Sequence, residues 1–87
     1  MRDTEYAREI ATGTYAWSPD SEARIERLYI KEYDQEEIRF SWWKEGNIVM
    51  RPLDLTEQEL LVLFQNSVEA GVFSSDFLRR LREILEN

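Results

Sequence analysis

The sequence predicts an α+β fold, in which an antiparallel β-meander of three to four strands packs on a C-terminal helical hairpin. Two observations predict it. The first part of the chain carries segments with strand-like patterns, separated by turn residues. The last third carries two apolar stripes at helical spacing. The chain has 87 residues and no linker-like stretch or internal repeat, so we expect a single domain over residues 1–87.

The N-terminal part of the chain leaves alternatives open. Residues 1–12 fit either a short helix or a frayed arm, whereas residues 14–17 favour extended structure. Residues 18–21 form either a turn, with Pro19 at its second position, or the cap of a helix that begins at Pro19. Residues 23–33 fit a helical stripe or a strand. We favour the strand, because this segment is rich in β-forming residues.

A β-hairpin over residues 37–55 is the clearest element, and a short turn at 34–36 would lead into it. Its first strand alternates between two sides: Ile38, Phe40 and Trp42 on one, and Arg39, Ser41 and Trp43 on the other. The turn that follows contains Gly46 and Asn47, the residues most tolerant of positive φ. Pro52 cannot donate to a ladder, so we expect it to close the second strand.

The C-terminal third predicts two antiparallel helices. Thr56 and Glu59 have the spacing of a capping box, and Gly71 suits a left-handed residue that ends the first helix. Ser74 or Ser75 would cap the second helix. The apolar residues of the first helix are Leu60, Leu61, Leu63, Phe64 and Val68, and those of the second are Phe77, Leu78, Leu81, Ile84 and Leu85.

Composition bounds the function. The formal charge of −7 repels phosphate backbones and anionic lipids, so it disfavours nucleic-acid and membrane-surface binding. We expect a cytoplasmic protein for three reasons. The chain has no cysteine, its N-terminus has no apolar signal segment, and it contains no long apolar run. The densest acidic patch is Glu32, Asp34, Glu36 and Glu37. This acidic patch either keeps the protein soluble or binds a basic partner.

The residue types present argue against catalysis. Without His or Cys, the chain cannot build a Ser-His-Asp or Cys-His arrangement or a His/Cys zinc site. Its three glycines are too scattered for a phosphate loop. The carboxylates at 34–37 lack the spacing of an EF-hand, and a turn would leave their acidity near normal. We therefore expect no enzyme, no metal site and no cofactor.

The adjacent Trp42 and Trp43 predict a binding surface. In a strand they point to opposite faces, so one would lie in the core and the other on the open face, near Arg51. An exposed Trp is a frequent hot spot in protein contacts. The alternative is that the N-terminal arm, Trp17 or Tyr15 covers it. The candidate partner-binding residues are Trp42, Trp43, Arg51, Glu32, Asp34, Glu36 and Glu37.

Three functions are consistent with these patterns. The first is a small acidic, non-enzymatic module or regulator, of the inhibitor, immunity or adaptor type, that binds a protein partner, which the acidic patch suggests is basic. Its first helix has five consecutive apolar residues, 60–64, and so is either central or packed against a second copy of the chain. The second function is a helix-turn-helix regulator that uses Arg79, Arg80 and Arg82 on DNA. The third is a small ligand-binding protein.

Overall fold

The computed structural model describes residues 2–87 and confirms the α+β fold. One antiparallel sheet has its four strands in chain order, and two helices follow it. The elements are β1 (Ala7–Ser18), β2 (Ser21–Ile30), β3 (Gln35–Lys44), β4 (Asn47–Val49), α1 (Glu57–Glu69) and α2 (Ser75–Leu85).

The strand register defines the two faces of the sheet. Ile25 of β2 lies opposite Gly13 of β1 and Phe40 of β3, and Ala23 lies opposite Trp42. Directly opposed residues share a face. These residues lie on the face that α1 partly covers, which we call the helix face. The neighbouring positions, Trp43 among them, lie on the other side, which we call the open face.

The strand alternatives in the first half are confirmed, and the helical ones are wrong. Residues 18–21 form a turn between β1 and β2, and the segment that fitted either a helix or a strand contains β2. The helix considered for residues 1–12 does not form in the described part, residues 2–12. Residues 7–12 belong to β1 instead, and Asp3 forms an isolated bridge with Arg8. Pairing with β2 satisfies the backbone groups of β1, which local helical spacing does not take into account.

The β3–β4 hairpin turns on Glu45 and Gly46, with φ of 51° and 79°. Two consecutive positive φ values are the requirement of a tight hairpin turn that matches strand twist. The sequence identified Gly46 correctly. Asn47, which we expected in the turn, is instead the first residue of β4, and Glu45 adopts the positive φ.

The core lies between α1 and the first two strands. Its fully buried members are Ala23, Ile25, Leu63 and Val72. Gly13 lets α1 come close to β1, since a Cβ placed there would clash with the Oγ and Cα of Ser67. Any larger residue would therefore push α1 away from the sheet.

Both ends of α1 are defined as predicted. The Thr56 side chain accepts from the Glu59 amide, and the Glu59 carboxylate accepts from the Thr56 amide, so the capping box is confirmed. Gly71, at φ 77°, ends the helix. The amides of Gly71 and Val72 donate to the carbonyls of Val68 and Ser67, the pattern of a Schellman motif.

The position of α2 differs from the expectation that both helices pack on the sheet. Ser74 caps α2 as predicted, but α2 packs against no strand and not against α1, and none of its residues is buried. Its first turn is held by a ring stack that runs from Phe64 through Phe73 to Phe77, with centroids 4.9 and 5.2 Å apart. Neither helix is long and apolar enough to cross a membrane.

Candidate interaction surfaces

An apolar groove lies where α1 stops covering the helix face. The helix packs over β1 and β2 and leaves β3 open, so that Ile38 is 37% and Phe40 54% exposed. We call this the β3–α1 groove. It has a volume of about 480 Å³ and is lined by Phe40, Glu57, Leu60, Leu61 and Phe64. Leu61, at 62% exposed, is its most accessible apolar side chain.

The uncovered side of α2 forms a second apolar surface, which we call the α2 stripe. It consists of Phe77, Leu81 and Ile84, which stand four and three residues apart and therefore share one side of the helix. Phe77 is 45% and Ile84 68% exposed. Arg80 lies beside the stripe and lines the same shallow depression. The Phe64–Phe73–Phe77 ring stack makes the stripe continuous with the groove.

The charges on α2 are mostly paired within the helix. Arg79 donates to Asp76 and Glu83 at 2.7 Å each, and Arg82 donates to Glu86 at 3.1 Å. Arg80 forms no ion pair with any residue between 2 and 87, and the same holds for Glu57 at the groove. The arginines predicted to face DNA thus have carboxylate partners, with the exception of Arg80.

Trp43 lies on the open face and is only 4% exposed, so it is not the exposed tryptophan that we expected. The Arg24 and Arg2 guanidinium groups lie over its ring, 4.0 and 4.4 Å from the centroid. The alternative, cover by the N-terminal arm, is therefore what the structure has. The Trp43 indole N–H donates to the Ser41 Oγ at 2.8 Å.

Trp42 lies on the helix face and is half-buried. Its indole N–H donates to the Ser21 Oγ at 3.2 Å, and its ring meets Trp17 edge-on at 6.1 Å. Trp17, at 37% exposed, donates to Glu59. The pKa of Glu59 is lowered, chiefly by the hydrogen bond from the Thr56 amide. The sequence did not identify Trp17 as the more exposed partner of this cluster.

A buried carboxylate on the open face was not predicted from the sequence. Glu26 is fully buried, and its Oε1 accepts from the Arg39 Nε and Nη2, at 3.1 and 2.9 Å, and from the Ser41 Oγ at 3.0 Å. Its Oε2 has no hydrogen-bond partner in the described part of the chain. The signal was present, because Glu26 and Arg39 lie directly opposite each other once β2 and β3 are paired.

The four acidic candidates lie together at and just after the β2–β3 turn, and all are exposed. Glu36 pairs with Arg27 at 2.7 Å, and Asp34 accepts from the Tyr29 hydroxyl, a bond that raises the Tyr29 pKa. Arg51 is also exposed but follows β4, which pairs with the opposite end of β3. The structure therefore brings the acidic candidates together and separates them from Arg51, Trp42 and Trp43. Their predicted role in binding a partner stays a prediction.

No group of three or more metal-ligating side chains occurs within residues 2–87. No protein-family model, curated protein or solved structure matches this chain.

Proposed function

We propose that this protein is a small, non-enzymatic interaction module that binds a protein partner through the β3–α1 groove and the α2 stripe. The observation that carries the proposal is that no strand or other helix of the described chain packs on the stripe, which meets the rest of the protein through the stack of Phe77 on Phe73. An isolated helix of this length is marginal in water, because it lacks a tertiary surface to stabilise it. α2 therefore gains most of its stability from a partner.

Exposed apolar side chains on this surface support the same function. Large contiguous apolar patches are rare on monomers and mark interaction sites. Here the groove and the stripe join through the Phe64–Phe73–Phe77 stack, and Leu61, Phe77 and Ile84 are each at least 45% exposed. A few side chains near the centre of an interface carry most of the binding energy of a protein contact.

The chemistry of the partner follows from the charges. The protein carries a net charge of −7, and Glu57 lines the groove without an ion pair in the described residues. We propose that the partner presents apolar side chains bordered by a basic residue.

DNA binding has less support than protein binding. Two of the three α2 arginines are paired with carboxylates of the same helix, and −7 is an unfavourable net charge for phosphate contacts.

Polar substitutions test whether the apolar side chains of the groove and the stripe are available to a partner or belong to the core of the monomer. We expect Leu61→Gln and Ile84→Gln to change the unfolding free energy of the dilute protein by less than about 0.5 kcal/mol, because both side chains are already exposed. The matched control in the first helix, Leu63→Ala, should cost about 2–5 kcal/mol because Leu63 is fully buried.

Urea unfolding at several protein concentrations gives the measurement. A loss for Leu61→Gln or Ile84→Gln that disappears on dilution reports an interface, because oligomers gain stability with concentration. A loss comparable to that of Leu63→Ala at every concentration would place these side chains in the core of the monomer and would end the proposal.

A further inference from the structure

We infer that the partner is a second copy of this chain, with the α2 stripe of each copy packed into the β3–α1 groove of the other. This inference rests on the proposed function and names its partner. One chain carries both an unfilled apolar groove and an uncovered apolar helix, so two copies satisfy both surfaces together.

The link before α2 explains why the helix does not fill its own groove. Val72 is fully buried, its amide is held by the Schellman motif, and its carbonyl accepts from the Arg27 Nε at 2.6 Å. Gly71 has a positive φ, and Phe73 is stacked between Phe64 and Phe77. These contacts direct α2 away from the sheet. Folding α2 back onto the groove would break them, whereas docking into another copy preserves all of them.

The charges favour a second copy over an arbitrary apolar surface. Arg80, beside the stripe, and Glu57, in the groove, are opposite charges with no ion pair among residues 2–87. The other two arginines of α2 are paired within their own helix. When the stripe of one copy enters the groove of the other, an apolar surface bordered by a cation meets one bordered by an anion. Two-fold symmetry repeats this contact, so each dimer contains two such pairs of opposite charge.

Reciprocal docking of stripe and groove also limits the assembly to two copies. An isologous contact uses the same patch on both copies, so a dimer leaves neither a groove nor a stripe available for a third copy. We therefore expect a discrete dimer with twice the chain mass of 10.5 kDa, and no higher oligomers.

Charge reversal gives the sharpest test. Glu57→Arg and Arg80→Glu should each weaken the homodimer about tenfold, because each places two like-charged contacts where two attractive ones stood. Mixing the two variants should restore association to within about twofold of the wild type. In the mixed dimer the introduced arginine of one chain meets the introduced glutamate of the other, and the native Arg80 of the first chain meets the native Glu57 of the second. Sedimentation equilibrium measures each dissociation constant, and native mass spectrometry counts heterodimers in the mixture.

The apolar contacts are tested in parallel. Ile84→Gln should weaken the dimer at least about tenfold. Met50→Gln is the matched control: Met50 is 89% exposed but lines neither the groove nor the depression on α2, so its loss should leave the dissociation constant unchanged.

Three results would overturn the inference: a wild-type monomer up to millimolar concentration, a dimer that Ile84→Gln and the charge reversals leave intact, or variants that fail to recover on mixing. A monomer would still leave the proposed function standing if Leu61→Gln and Ile84→Gln cost no stability, because the surface would then be free for a different protein. Stability losses that persist on dilution would remove both proposals.

Discussion

Glu26 and Arg39 show how one register position shapes the open face. The Glu26 carboxylate is fully buried, whereas the Arg39 guanidinium is partly exposed to solvent. Removing one member of a buried pair costs far more than replacing both, because the remaining charge stays desolvated. We therefore expect the pair to fix the alignment of β2 and β3 more than it adds net stability.

A double-mutant comparison tests this account. Arg39→Met should destabilise the protein by about 3 kcal/mol, since Ser41 alone is left to hydrogen-bond the Glu26 Oε1. Adding Glu26→Gln to Arg39→Met should recover at least about 1 kcal/mol, because the amide carries no charge. Chemical unfolding of Arg39→Met, Glu26→Gln and the double variant against wild type gives the values. Additive losses in the double variant would contradict the argument.

At the scale of elements, the sequence predicted what depends on local chemistry. The hairpin followed from the alternation around Phe40, and the α1 boundaries followed from Thr56, Glu59 and Gly71. It did not predict that residues 7–12 form a strand, because that outcome depends on pairing with β2. Periodicity also indicated an apolar side of α2 without identifying what covers it, since the spacing of residues records a face and not its partner.

Truncation tests the independence of α2. Removing residues 75–87 should change the unfolding free energy of the dilute protein by less than about 1 kcal/mol, because no strand or other helix of the described chain packs on α2 and the Phe73–Phe77 stack joins it to the body. The same truncation should abolish the dimer. Calorimetry of dilute samples and sedimentation of concentrated ones measure the two effects. A truncated chain that fails to fold would show that α2 stabilises its own domain.

At the scale of the whole molecule, net charge opposes self-association while the groove and stripe favour it. Each copy carries −7, so the long-range interaction between two copies is repulsive. The predicted binding residues at 32–37 contribute to this field and lie away from the groove residue Phe40 along β3. The candidate site was therefore only partly predictable: the apolar run 60–64 of α1 was identified, but none of the predicted binding residues lines the groove, which exists only once α1 has packed beside β3.

Salt dependence follows from this balance. Screening weakens the net repulsion more than it weakens two local Arg80–Glu57 contacts, so the dimer should tighten between about 0.01 and about 0.5 M salt. A basic foreign partner would bind more weakly over the same range. Light scattering or sedimentation at fixed protein concentration separates the two, and a dimer that dissociates with added salt would contradict an apolar interface between two acidic copies.

The anchored link before α2 also determines how fast partners can change. Because the Arg27–Val72 hydrogen bond and the Schellman motif fix the outward direction of the chain where α2 begins before any contact forms, the sheet and α1 of neither copy have to unfold or rearrange in order to associate. Subunit exchange is then limited by separation of the docked surfaces and not by refolding of the sheet and α1. Such a dimer responds promptly to dilution, and its population follows the concentration of the protein in the cell.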